Sequence, residues 1–191
     1  MGLNEPASTG TTPGCYVVVS GGPGVGKTDL ARPLASALGV PLLSKDDIKE
    51  ALFDELGTGD RLWSRRLGRA SIAVLYRVAA NTPAAVIEAV FQRDAARRDL
   101  ADLDGPVVEI HCTCPPELAV ERFERRAESD RHPGHLDNRQ PRNKLEQLVV
   151  DGAEPLGLGG SLLEVDTSEA LAIDDVVAWV LSTPEWHHRA G

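Results

Sequence analysis

Residues 21–28 read GGPGVGKT, which fills the pattern GxxxxGK(S/T) with Gly21, Gly26, Lys27 and Thr28. Glycine is needed here for a steric reason: successive backbone N–H groups can turn inward around phosphate oxygens only where no Cβ atoms stand in the way. On that reading Gly21, Gly22, Pro23, Gly24, Val25 and Gly26 form a cradle. Lys27 brings a point charge to the outer phosphates, and Thr28 offers a hydroxyl to Mg2+. The helix that opens at Gly26 presents its positive end to the same phosphates, and Asp29, next in line, is counted with the cradle. A plain glycine turn from strand to helix, with Lys27 exposed by accident, is the competing reading. The chain has only four lysines, Lys27, Lys45, Lys49 and Lys144, so accident is a poor account of this one. The expected ligand is ATP, or GTP in its place, with Mg2+; the motif is silent on the phosphoryl acceptor.

Outward from the loop, the apolar run 16–20 reads as a strand and 26–38 as a helix. The alternation continues, with strands expected over 40–44, 84–91, 107–114 and 162–165. Helices are expected over 46–56, 60–80, 94–103, 115–127, 142–150 and 169–181. Short apolar strands alternating with longer helices predict an α/β fold around a parallel sheet. Residues 1–13, rich in Pro, Ser, Thr and Gly, read as a flexible tail, and 14–191 as a single domain. The stretch 128–141 is almost wholly polar and is broken by Pro133, Gly134 and Pro141, which predicts a mobile flap.

A length of 191 residues suits one domain of about 100–200 residues, and 42% hydrophobic with 26% charged residues suits a globular chain. Twenty Lys and Arg against 29 Asp and Glu give a net charge of −9, which argues against broad binding to nucleic acid or anionic membrane. No apolar run approaches the ~18 residues of a membrane span, and the amino terminus lacks the basic and apolar regions of a signal peptide, so the expected compartment is the cytoplasm. Cys15, Cys112 and Cys114 cannot all pair and have no metal-ligand spacing; Cys112 and Cys114 share one strand face as small hydrophobes.

In a parallel sheet, ligands lie outside the carboxyl ends of the strands. The second strand ends in Ser44, Lys45, Asp46 and Asp47. A carboxylate there can accept the proton of an attacking hydroxyl or hold the water of a metal ion. Alternatively Ser44 caps the next helix with Asp47 at the capping-box position, and both acids complement the helix dipole. That role suits Asp47 and leaves Asp46 as candidate base and metal-shell residue. Glu88 is the lone acid of an apolar strand and needs a partner if buried. The partner is either Mg2+ through water, or Arg93 or another arginine.

Arg122 and Arg126 stand four apart on one helix, where like charges repel unless an anion lies near. A triphosphate would be such an anion, and the adjacent flap would let both reach the transferring phosphoryl group. The alternative is an arginine-rich solvated helix, to which a Glu121–Arg125 pair belongs. His132 and His135, in RHPGH, lack the companions of a metal site and read as a flap turn or a substrate contact. Trp63 and Tyr76 lie on a helix that is either core or cover for the acceptor.

Taken together, GGPGVGKT, SKDDIKEAL one strand later, an ERFERR helix before the polar flap, and VDTS near the carboxyl end resemble a group of small P-loop kinases. The group includes chloramphenicol phosphotransferase, zeta-toxin-type kinases and the kinase domain of polynucleotide kinase; the resemblance covers roughly residues 15–181. It implies a three-layer α/β/α fold, with a five-stranded parallel sheet in the order 2-3-1-4-5 and a polar lid. It also implies that Asp46 is the general base, Lys27 and Thr28 the phosphate and magnesium residues, and Arg122 and Arg126 lid arginines. Asp166 and Thr167 would pass the adenine, although a cap before the next helix suits them equally well. Many relatives carry aspartate or another polar residue where Glu88 stands. Lys49 falls where the polynucleotide branch has a substrate-binding arginine, against which the acidic charge speaks. The expected function is a cytoplasmic ATP- and Mg2+-dependent phosphotransferase acting on a hydroxyl of a small molecule, such as an antibiotic or metabolite. The alternatives are a polynucleotide or nucleotide kinase, and a regulatory ATPase or ATP-binding module.

Overall fold

The computed structural model describes residues 15–129, 131–136 and 141–187; the expected tail over 1–13, and residues 130 and 137–140 of the expected flap, lie outside them. The described residues begin with β1 (Cys15–Ser20), whose six residues are all buried. A run apolar at every position, rather than at every second one, marks a strand covered on both faces. Next come α1 (Lys27–Leu38), β2 (Leu42–Ser44), α2 (Lys45–Leu56) and α3 (Arg61–Ala79). They are followed by β3 (Ala84–Glu88), α4 (Arg93–Leu100), β4 (Val107–Thr113) and α5 (Pro116–Ser129). A 3-10 turn at Pro133–His135 leads to α6 (Arg142–Asp151), β5 (Leu162–Asp166), α7 (Ile173–Ser182) and the short α8 (Pro184–His187).

All strand pairs are parallel and the order is β2-β3-β1-β4-β5, as expected. The alternation of side chains along β1 divides the core. Val17 and Val19 pack with residues of α1, α5, α6 and α7, whereas Tyr16 and Val18 pack with α3 and α4. Helices on both faces make the three layers. Cys112 sits in the first cluster, and burial pushes its thiol up to about 12, so it packs as an inert hydrophobe. No disulfide joins Cys15, Cys112 or Cys114. Among the described residues no helix is long and apolar enough to cross a membrane.

Several expected boundaries move: β2 starts at Leu42 instead of 40, and α4 ends at Leu100 instead of 103. The strand over 84–91 stops at Glu88, because its last rungs are Val19↔Glu88 on β1 and Ser44↔Glu88 on β2, and β2 ends at that rung. The last long helix begins at Ile173 instead of 169, because Asp166 turns back to accept a hydrogen bond from Ser168 N at 2.8 Å and the chain then runs past the glycine loop.

Behind that loop lies a buried polar cluster. Ser20 Oγ is 2.8 Å from Glu109 Oε1 and 2.9 Å from His111 Nδ1. His111 Nε2 faces the Ala153 carbonyl at 3.1 Å, and Glu109 accepts from Leu156 N at 2.6 Å and Gly157 N at 2.9 Å. Every member has a partner, so the cluster fastens the chain after α6 to the sheet at low cost.

Candidate active site

The carboxyl ends of β1, β2 and β3 open onto a cavity of about 840 Å³, within the usual range for small-molecule sites. Its floor is the glycine loop. Gly24 has φ 78°, and a Cβ there would run into the Ala119 carbonyl oxygen of α5. Gly26, at φ 81°, is the N-cap of α1 and supplies no side-chain cap, so the first-turn amides are left for another acceptor. Pro23, Gly24, Gly26, Lys27, Thr28 and Asp29 line the cavity, while Gly21, Gly22 and Val25 are buried. Lys27 is 6% exposed and donates from Nζ to the Gly22 carbonyl at 2.6 Å, curling back over the loop. Burial lowers its pKa, opposed chiefly by the charge of Glu88.

Opposite the loop, Asp46 stands in the first turn of α2. Ser44 is the N-cap of that helix and its hydroxyl accepts from Asp47 N at 3.4 Å. Asp47 turns outward to Arg32 at 2.7 Å, which leaves Asp46 facing the cavity. Both oxygens of Asp46 are engaged: Oδ1 accepts from Lys45 Nζ at 2.9 Å and Oδ2 from Arg131 Nη2 at 2.8 Å. Burial alone would raise the carboxyl pKa, but Lys45 and Arg131 overcome it and hold Asp46 well below the usual carboxylate range. Glu88 also lines the cavity, is 5% exposed and accepts from Ser44 Oγ at 3.0 Å. Burial raises its pKa, with Lys27 opposing. Arg93 is not its partner, because that guanidinium is drawn to Glu154 at 2.7 Å and the Pro155 carbonyl at 2.6 Å.

The third wall comes from α5. Arg122 and Arg126 both reach the cavity. Arg122 donates to Thr167 Oγ1 at 3.2 Å and Thr167 O at 2.9 Å, while Arg126 lies over the Phe123 ring. Arg125 pairs with Glu121 at 3.7 Å on an exposed face and also borders the cavity. Thr167 lines the cavity and donates to the Val25 carbonyl at 2.7 Å, so it staples the end of β5 to the glycine loop. Asp166 does not line it; its carboxylate forms the local turn with Ser168.

The described part of the flap docks on α2. Asp46, Glu50 and Asp54 fall at i, i+4 and i+8, a stripe of like charge that needs cations beside it. Arg131 meets Asp46, His135 Nε2 lies 2.9 Å from Glu50 Oε1, and His132 Nε2 lies 3.2 Å from Asp54 Oδ1. His132 also stacks on Phe53 at 5.2 Å. Arg131 approaches His135 Nδ1 at 3.0 Å as a donor, so Nε2 carries the ring proton and donates to Glu50. Burial, then Arg131, hold His135 down to about 3. The sequence reading missed Lys45 and Arg131 as partners of Asp46. The acid stripe and RHPGH, each visible in the sequence, were the available signal. Trp63 is turned away, donating to the Gly57 carbonyl at 2.9 Å. Tyr76 lines a neighbouring cavity of about 410 Å³ with Phe91, Val90 and Lys45.

Comparison with known proteins agrees with this fold. The profile of the AAA domain family matches residues 17–149. The structure of a candidate kinase from Chloroflexus aurantiacus is 38% identical, with a TM-score of 0.82 over 90% of this chain and 98% of that one. A gluconokinase from Sinorhizobium meliloti (16% identity, TM-score 0.57, 94% of this chain and 93% of that one) shares the fold. So does a shikimate kinase from Acinetobacter baumannii (19%, 0.50, 92% and 95%). Uncharacterized proteins of Mycobacterium tuberculosis (Rv2004c) and Mycobacterium bovis (Mb2027c) are 29% identical over 125 residues, 58% of this chain; the match spans a quarter (25%) of their length.

Proposed function

Because the chain belongs to the AAA domain family and has a kinase-like P-loop fold, we propose that it is a cytoplasmic ATP- and Mg2+-dependent phosphotransferase acting on a hydroxyl of a small molecule. In chemistry it would stand with chloramphenicol phosphotransferase and the zeta-toxin-type kinases. The observation that carries the reading is that Asp46 borders the same cavity as Lys27 and Thr28.

The residues present fit the nucleotide: uncapped first-turn amides at Gly26, a glycine at position 24 where a Cβ would collide, and the buried ammonium of Lys27. ATP with Mg2+ supplies the phosphoryl group. Magnesium is usually held by one or two carboxylates together with phosphates, and Thr28, Asp46 and Glu88, which line the same cavity, would hold it. Among the described residues no group of three or more His, Cys, Asp or Glu forms a separate metal site. Lys27 must leave the Gly22 carbonyl to meet the outer phosphates, and Arg122 and Arg126 lie where they would spread the charge of the group in transfer. Thr167 keeps the loop and the end of β5 in register.

On the acceptor side, Asp46 is ionised at neutral pH. An incoming hydroxyl displaces Lys45 or Arg131 from one carboxylate oxygen and yields its proton to that oxygen as it attacks. The test is a metabolite-pool screen that follows label from the γ-phosphate of ATP into a new compound, with 5′-hydroxyl oligonucleotides and nucleotides as separate arms. A labelled small hydroxyl compound is the expected result. Label released only as inorganic phosphate, or transferred only to the oligonucleotide arm, overturns the reading.

A further inference from the structure

Positive charge is distributed unevenly in this acidic chain. All four lysines border one of two adjoining spaces: Lys27, Lys45 and Lys49 line the main cavity, and Lys49 and Lys144 line a smaller one of about 220 Å³. The two cavities share Lys49 and His135. Arg61 and Arg65 of α3 add to the smaller one, and no Asp or Glu stands among the described residues that line it. Four cationic side chains around so small a space repel one another, and a cleft whose described walls carry one sign of charge concentrates ions of the other. Nucleotide phosphates on the glycine loop account for Lys27; they do not account for a pocket between α2, α3 and α6.

We propose that the acceptor carries a phosphate or carboxylate as well as its reacting hydroxyl, and that this anionic group seats among Lys49, Arg61, Arg65 and Lys144. The inference rests on the kinase reading for its hydroxyl and on the pocket for its charge. Lys49 is the hinge of the arrangement. It is 7% exposed, its Nζ donates to Ser64 Oγ at 3.0 Å, and it follows Asp46 by three residues on α2. Residues three apart on a helix have Cβ atoms about 5–6 Å apart. An anion held at Lys49 therefore leaves Asp46 facing a hydroxyl only a few bonds away on the same molecule, as in a sugar phosphate or a short hydroxy acid. Gly68 on α3 keeps room for it: a Cβ there would lie 3.8 Å from Lys49 Cε.

The experiment uses the full chain saturated with Mg2+ and a non-hydrolysable ATP analogue, so that the glycine loop is filled. Inorganic phosphate, and acetate in a parallel arm, are titrated while the melting temperature is followed. Phosphate, acetate or both are expected to raise it, and the stronger arm identifies the anion. The double variant Arg65→Ala/Lys144→Ala, which alters two exposed side chains, should weaken that binding tenfold or more. No rise with either anion, or an equal rise in the double variant, overturns the inference. A second measurement follows label from ATP into matched pairs: glucose 6-phosphate and glucose, gluconate and glucitol, glycerol 3-phosphate and glycerol. Preference for the charged members supports the inference. Transfer to neutral members as readily as to charged ones, or to a 5′-hydroxyl oligonucleotide above all of them, overturns it while the chain remains a kinase. Anion binding without transfer to any hydroxyl sinks the kinase reading and leaves the pocket standing.

Discussion

Replacing Asp46 by asparagine keeps the shape of the side chain and removes its charge, so it separates catalysis from architecture. A positioned general base contributes roughly 10²–10⁴ in rate, and kcat for phosphoryl transfer should fall by about that factor. The structural cost is bounded by the two ion pairs that Asp46 makes, with Lys45 at 2.9 Å and Arg131 at 2.8 Å. Asp46 is 32% exposed and its partners 23% and 12%, so solvent screens both pairs in part. At about 1 kcal/mol each, the loss is no more than about 2 kcal/mol, or a fall in Tm of at most about 8 °C for a chain of this length. Binding of ATP without Mg2+, measured by calorimetry, should be little changed, because Asp46 spends its two carboxylate oxygens on Lys45 and Arg131 and not on the glycine loop. Turnover within threefold of the unmodified chain, with ATP binding intact, would refute the assignment of the base.

Three further outcomes are expected. Gly24→Ala puts a methyl group against the Ala119 carbonyl at a positive φ of 78°; it should cost about 2 kcal/mol or more, and an unchanged urea midpoint would contradict the packing of the loop on α5. Gly68→Ala adds a methyl that meets Lys49 Cε only at 3.8 Å, so α3 should gain up to about 1 kcal/mol while the KM of the acceptor rises and that of ATP does not; thermal melting and steady-state kinetics read the two effects. His135 is held down to about 3 from 6.5, so between those values the unfolded chain binds a proton that the native one does not, and stability falls as pH falls through that window. Melting temperatures from about pH 7.5 down to 4 should show this slope, and His135→Gln should flatten it.

Local patterns in the sequence announced much of the architecture. Six consecutive buried residues in β1 and the glycines after them carry their meaning within about a dozen positions, and Ser44 with Asp47 is a cap readable from four. Asp46 was reachable by elimination, once Asp47 had a role and the strand end had been located. What escaped the reading depends on contacts between distant parts of the chain. Arg131 reaches Asp46 across 85 positions and Thr167 reaches Val25 across 142, and neither leaves a periodic trace. The late start of α7 has the same origin, since a segment with helical composition is diverted beside the glycine loop by Asp166 and Thr167. The sheet order came from the resemblance, because alternation of strands and helices predicts a parallel sheet but not which strand lies beside which.

The grip of Lys45 and Arg131 on Asp46 bears on economy of fuel. Water is small, abundant and always at hand, and a kinase whose base were free would squander its triphosphate on hydrolysis whenever no acceptor was bound. Here neither carboxylate oxygen is idle, and a lone water molecule offers too few contacts to dislodge a guanidinium and an ammonium. The resting protein should therefore turn over ATP very slowly, and Arg131→Ala should leak: faster release of inorganic phosphate without acceptor, measured by a coupled phosphate assay, against an unaltered rate if the clasp has no such role.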